Sequence, residues 1–166
     1  MIIGIPKEIK NNEFRVGLTP GNVSGLCKQG HSVLVQRGAG EQIGLSDESY
    51  RIAGATLINS AAEVFKKAEM IVKVKEPQPQ ECAMLREDQI LFTYLHLAPD
   101  PIQTQALIQS GASCIAYETV TAFNGALPLL APMSEVAGRM SIQAAATHLE
   151  KTHGGIGVLM AGVPGV

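Results

Sequence analysis

The sequence predicts a doubly wound α/β domain, a mostly parallel sheet with helices on both faces, and three observations predict it. Short runs rich in Ile and Val recur along the chain, segments of helical character lie between them, and each helical segment carries its own start and stop residues. Parallel strands joined by right-handed crossovers close into a sheet covered on both sides.

Ile2 to Ile5 reads as the first strand. Thr19-Pro20 caps and opens a helix that runs through Gln29, and Gly30 supplies the left-handed residue that ends it. Ser32 to Gln36 is the second strand. Ser46, with Asp47 and Glu48 in the following turn, starts a short helix closed by Gly54, and Thr56 to Ile58 is a short strand. Ser60-Ala61-Ala62-Glu63 has the capping-box pattern and opens another helix. Met70 to Val74 and Ile90 to Thr93 are further strands; Asp100-Pro101 caps a helix that stops at Ser110-Gly111 before the strand Ser113 to Ala116. The α/β domain therefore occupies residues 1–131. Beyond a loop punctuated by Gly and Pro from Thr121 to Pro132, Met133 to Glu150 reads as one long helix. Its small residues Ala137, Gly138, Ala144, Ala145 and Ala146 suit close packing, and Gly138 fits backbone contact with a neighbour or equally a tolerated glycine without one.

Composition narrows the function. With 46% hydrophobic residues, 17% charged residues and a net charge of -2 across 166 residues, the chain is neither disordered nor built to attract nucleic acid or anionic lipid. No apolar stretch approaches the roughly 20 residues needed to cross a bilayer, and the first residues do not make a signal peptide, so a cytoplasmic location is expected. Cys27, Cys82 and Cys114 are few and widely spaced, with no matching His pattern; they read as buried thiols, with neither a disulfide framework nor a metal site.

Open parallel sheets bind ligands beyond the carboxyl ends of their strands, where crevices and unpaired backbone groups lie. The predicted strand ends carry Lys7 and Glu8, Lys75 and Glu76, Tyr94 and His96, and Tyr117 and Glu118, with Arg15 in the loop after the first strand. A guanidinium fork, an ammonium point charge and an imidazole together suit a small carboxylate substrate. Each of these residues taken singly fits a solvated loop as well, and His96, among the apolar neighbours of Leu95-His96-Leu97-Ala98-Pro99, also fits a structural histidine. The dinucleotide signals are poor. Gly44 falls one position late after Gly38-Ala39-Gly40, which reads as a turn, and Met160 stands where a third glycine would follow Gly155-Ile156-Gly157.

Gly4-Ile5-Pro6-Lys7-Glu8, Asn11-Asn12-Glu13-Phe14-Arg15-Val16 and Leu18-Thr19-Pro20 resemble the opening of the alanine dehydrogenase and transhydrogenase α-chain family. Val72-Lys73-Val74-Lys75-Glu76-Pro77, Leu91-Phe92-Thr93-Tyr94-Leu95-His96-Leu97-Ala98, Ala116-Tyr117-Glu118-Thr119 and Pro132-Met133-Ser134-Glu135 are similar to its alanine dehydrogenase branch; the transhydrogenase branch, the alternative, is expected to lack the His96 motif. The resemblance implies NAD-dependent, reversible oxidative deamination of L-alanine to pyruvate and ammonia. Arg15 and Lys75 match the family's carboxylate-binding pair, His96 matches its acid/base residue, and Ser134, with Met133 beside it, matches a cofactor contact. It further implies a substrate domain of Rossmann or flavodoxin type, and residues 132–166 as an inter-domain helix and the start of a linker to an NAD-binding Rossmann domain outside this sequence. That domain would supply most of the NAD site and a second catalytic carboxylate. A chain that is the N-terminal portion only, inactive by itself, with exposed apolar surface and a homo-oligomeric assembly, hexameric in the family, follows from the same resemblance.

Overall fold

The computed structural model describes residues 1–165; the final residue of the predicted linker, Val166, lies outside the described part. The chain divides into two compact units, Met1–Thr119 and the residues from Val120 onward.

The first unit is a six-stranded, wholly parallel sheet. In chain order it contains β1 (Ile2–Ile5), α1 (Pro20–Lys28), β2 (Ser32–Gln36), α2 (Asp47–Ile52), β3 (Thr56–Ile58), α3 (Ala61–Lys67), β4 (Met70–Val72), α4 (Pro79–Cys82), β5 (Ile90–Thr93), α5 (Pro101–Ser110) and β6 (Ser113–Ala116). The strands lie in the order β3-β2-β1-β4-β5-β6, so the direction of winding reverses between β1 and β4. At such a reversal the connections leave the sheet in opposite directions and open a crevice at the strands' carboxyl ends.

The sheet is covered on both faces, as alternation within a single strand demonstrates. Val33 and Val35 of β2 join Val23 of α1 and Tyr50 of α2 in one buried cluster. Leu34, between them, points into the other cluster with Phe65 of α3, Cys82 of α4 and Leu107 of α5. Gly4 of β1 is required by this packing, since a Cβ there would stand 2.7 Å from both the Ala68 Cβ and a Val64 methyl. Because α1 and α2 serve only the β1-β2-β3 half of their face, no α-helix of this unit covers the other half, where Phe92 is partly buried and Ile115 exposed.

The predicted caps form. Thr19 accepts the Asn22 N–H, Ser46 that of Ser49 and Asp100 that of Gln103, while Gly30, Gly54 and Gly111 all take positive φ. At Ser60 only half of the predicted capping box is present: its hydroxyl accepts from the Glu63 N–H. The fourth strand stops at Val72, two residues short of expectation; the Lys73 N–H still reaches the Phe92 carbonyl of β5, but the Val74 N–H turns to the Glu8 carboxylate. The four-residue α4 was not foreseen. It begins at Pro79, with the Glu81 carboxylate accepting the Gln78 N–H at 2.8 Å. Of the three cysteines only Cys82 is buried; Cys27 and Cys114 are partly exposed, and all three are free thiols.

The second unit is built on α6 (Ala131–Leu149), which starts two residues earlier than predicted. None of its residues is buried, and a Cβ at Gly138 would meet nothing within 4 Å.

Candidate functional site

Beyond β1 the chain passes through a loop in which Asn12 adopts φ 61° and Glu13 turns back onto Lys10. The turn buries Glu13 while the Arg15 side chain stays exposed. The Glu13 carboxylate accepts from Arg15 Nε at 2.8 Å, from Nη2 at 2.6 Å and from the Arg15 backbone N–H at 2.9 Å. This two-pronged pairing fixes the plane of the guanidinium. Hydrogen bonds from Arg15 hold the Glu13 carboxyl below the usual range against the opposing effect of burial, and the positive charges of Arg15 and Lys75 add to them. Lys75 and Arg15 thus act on one carboxylate from two different strand ends.

Lys75 follows β4 and is partly buried. Its carbonyl accepts the Thr93 hydroxyl at 2.9 Å, and the Tyr94 N–H reaches the Val74 carbonyl at 3.3 Å, so the ends of β4 and β5 stay joined beyond the regular ladder. Past β5, Leu95 is buried and His96 is exposed with φ 48°, a left-handed conformation that a residue bearing a Cβ adopts only under constraint. The constraint is Glu118, whose carboxylate accepts the Leu95 N–H at 3.1 and 3.2 Å and the His96 N–H at 2.7 Å. Burial pushes the Glu118 carboxyl up, but the N–H groups of His96, Glu118 itself and Leu95, with the nearby His96 ring, outweigh it and leave it below its ordinary value.

An aromatic row lines the same edge. Tyr94 stacks on His96 with centroids 6.2 Å apart, meets Tyr117 edge-on at 4.9 Å, and Tyr117 in turn meets Phe92 edge-on at 4.3 Å. Burial raises the Tyr94 phenol against the lowering influence of the Arg15 charge, which ties the guanidinium to the ring that stacks on His96. Arg15, Lys75 and His96 are therefore gathered at the carboxyl ends of β1, β4 and β5, three strands adjacent in the sheet, where the winding reverses.

Ser134 and Met133 belong to the first turns of α6 in the second unit; Ser134 is exposed and its hydroxyl donates to the Leu130 carbonyl at 3.5 Å, while Met133 is partly buried. The Lys7 N–H turns to the Gln36 side chain at 2.9 Å, on the β2 side, and Glu76 pairs with Lys10. Glu8, counted from the sequence among the charges of the open edge, is buried: its carboxylate meets the Lys73 ammonium at 2.9 Å, and the same ammonium meets Glu81 at 2.8 Å. The sequence reading passed over Lys73 and Glu81, although a lysine between Val72 and Val74 in an otherwise apolar run was a signal of a buried, paired charge.

The turn at Gly38-Ala39-Gly40 agrees with the sequence reading. Gly38 takes φ 71° and its N–H is bound by Asp47, while a Cβ on Gly40 would stand 2.8 Å from Leu45, so this turn is closed by its own neighbours. After β1, where a dinucleotide-binding sheet of this strand order carries its phosphate turn, the chain has the charged segment from Lys7 to Arg15. Among the described residues no group of three or more His, Cys, Asp or Glu is arranged to hold a metal ion, and no helix is long and apolar enough to cross a membrane.

Fold and site together define a parallel α/β domain that carries paired cations and an imidazole at its switch point and lacks a phosphate turn there. The family model described as "Alanine dehydrogenase/PNT, N-terminal domain" matches residues 4–137, and the chain belongs to that family. It is 55% identical over all 166 residues to an alanine dehydrogenase of Mycolicibacterium smegmatis, of which it spans 45%. A solved L-alanine dehydrogenase superposes with a TM-score of 0.89 at 52% identity, covering all of this chain and 46% of that one. A solved transhydrogenase from Sinorhizobium meliloti is more distant, with a TM-score of 0.67 and 30% identity over 71% of this chain and 35% of that one. The chain thus spans less than half the length of the relatives it matches.

Proposed function

We propose that this chain is the substrate-holding part of an NAD-dependent alanine dehydrogenase, which interconverts L-alanine with pyruvate and ammonia. The observation that carries the reading is the convergence of Arg15, Lys75 and His96 on adjacent strand ends. Its particular substrate is supported by the alanine dehydrogenase relatives that match along the whole chain. The transhydrogenase alternative is disfavoured by its lower similarity.

In this reading Arg15, its plane set by Glu13, presents hydrogen-bond donors to the substrate carboxylate, and Lys75 adds a compact positive charge. His96 exchanges protons at the reacting carbon, taking one as water adds to the imine and returning one as ammonia leaves. The Tyr94 ring lies beside the imidazole in near-parallel orientation. Ser134, with Met133 beside it, is this chain's own contribution to the cofactor; bound NAD would supply the hydride acceptor. We place the protein in the cytoplasm, as a homo-oligomer, and assign residues 1–131 to the substrate domain and 132–166 to the inter-domain connection.

The test is alanine-dependent NAD reduction by the chain at its full encoded length. Activity that His96→Ala abolishes while the protein remains folded supports the reading; a His96→Ala protein as active as its parent overturns it.

A further inference from the structure

Lys73 is wholly buried, its side chain 0% exposed, and both of its carboxylate partners are buried with it at 2% and 1%. Each carboxylate spends one oxygen on the Lys73 ammonium and the other on a backbone N–H. Glu8 accepts from Val74 at 2.6 Å, and Glu81 accepts from Gln78 at 2.8 Å. Those two N–H groups bracket the segment 75–77, whose first residue is Lys75. Within the bracket the Lys75 carbonyl is held by Thr93 at 2.9 Å, and on its β5 side the Lys73 N–H is held by the Phe92 carbonyl at 3.1 Å.

Two carboxylates and one ammonium in the interior make an expensive arrangement. Stability alone does not account for it, since well-packed apolar side chains of similar volume commonly stabilise a fold as well as a buried triad does or better. Hydrophobic packing cannot, however, satisfy two backbone N–H groups on the far side of the regular strand ladder, and it sets no direction for the chain that leaves β4. The triad does both. It joins the segment after β1, through Glu8, to the start of α4, through Glu81, with the exit of β4 caught between them.

We propose that the buried triad of Lys73, Glu8 and Glu81 is a positioning device that fixes the backbone of Lys75, and with it the ammonium offered to the substrate carboxylate. The proposal rests on the reading of Lys75 as a substrate-binding residue. Lys73, Glu8 and Glu81 are positioning residues that touch no substrate; their influence passes through the Val74 and Gln78 amides. Holding a binding group in place by buried neighbours is what lets it act without paying for reorganisation when ligand arrives.

Two variants and a control separate the outcomes, each titrated calorimetrically with pyruvate on the chain at its full encoded length. Glu8→Leu/Lys73→Met/Glu81→Leu removes the charges and both amide acceptors. It is expected to remain folded and to bind pyruvate on the order of tenfold to a hundredfold more weakly. Glu8→Gln/Lys73→Met/Glu81→Gln removes the charges but keeps a carbonyl oxygen for each amide, and is expected to recover most of the affinity; a triad that served only to fill the interior would give no such rescue. An apolar variant that folds and binds like its parent overturns the proposal. Lys75→Met is the control: if it binds pyruvate like the parent, the functional reading itself fails and the proposal falls with it. Should neither triple variant fold, hydrogen exchange on the parent decides. The Val74 and Gln78 amides are expected to be protected as strongly as those of β4 and β5, with or without pyruvate, and exchange at the rate of open loops overturns the proposal.

Discussion

The Glu118 carboxylate accepts the backbone N–H of His96 at 2.7 Å, and His96 is one of three non-glycine residues with positive φ among the described residues. The two facts are linked. A left-handed residue with a side chain carries a conformational cost of about 1–2 kcal/mol, which an ionised acceptor at the same N–H can offset. Glu118 comes from the end of β6, so the backbone of His96 is set by a strand other than its own.

Replacing Glu118 with Ala removes the acceptor for both Leu95 and His96. The expected loss is about 1–2 kcal/mol of unfolding free energy, read from urea denaturation, together with weaker pyruvate binding. Glu118→Gln keeps an oxygen in place and is expected to fall between Ala and the parent in both measurements.

Acid should loosen the site. Glu13 and Glu118 both have folded pKa values depressed below the ordinary carboxylate range. A depressed carboxylate contributes stability at pH above its unfolded value, and that contribution is lost as pH falls through the folded value. The urea midpoint is therefore expected to decline below the usual carboxylate range. The decline should be shallower in a Glu13→Gln/Glu118→Gln double variant, which lacks both contributions from the start.

Gly17 lies two residues after Arg15, and a Cβ there would stand 2.7 Å from the Val72 carbonyl oxygen, a backbone atom that cannot swing aside. Gly17→Ala is expected to push the loop away from β4, at a cost of about 1–3 kcal/mol in stability, and to weaken pyruvate binding by moving Arg15. Gly25→Ala, where nothing lies within 4 Å of the added carbon, is the matched control and should leave binding unchanged.

Arg15→Lys keeps the charge but gives up the planar fork that Glu13 engages through Nε and Nη2. Pyruvate affinity is expected to fall by roughly tenfold, and the Glu13 side chain should lose the pairing that keeps its carboxyl low. A Kd equal to the parent's would mean that charge alone, without geometry, suffices at this position.

Much of the architecture could be read in advance, because each helix carries local punctuation: Thr19, Ser46, Ser60 and Asp100 at the starts, Gly30, Gly54 and Gly111 after the ends. Sheet order was not readable in this way, since nothing local distinguishes a β3-β2-β1-β4-β5-β6 sheet from another parallel arrangement. At the site, the strand-end rule pointed to Arg15, Lys75 and His96, which follow β1, β4 and β5 in the chain. It misplaced Glu8, which stands one residue past Lys7 yet turns inward. The Lys73 ammonium and the Val74 N–H make that burial tolerable, and they are 65 and 66 positions away in sequence. Glu118's grip on His96 was hidden for the same reason, across 22 positions. The length of α6 was legible to within two residues, but whether its small residues meet a partner depends on surroundings that a helical pattern does not encode.

Calorimetric titration of pyruvate into the protein and into its Arg15→Ala variant tests the account most directly. The account predicts saturable binding by the parent, weakened in the variant by about 1.5–3 kcal/mol, roughly a tenfold to 150-fold rise in Kd. Parent and variant titrating alike, or a folded parent that takes up no pyruvate at all, would contradict it.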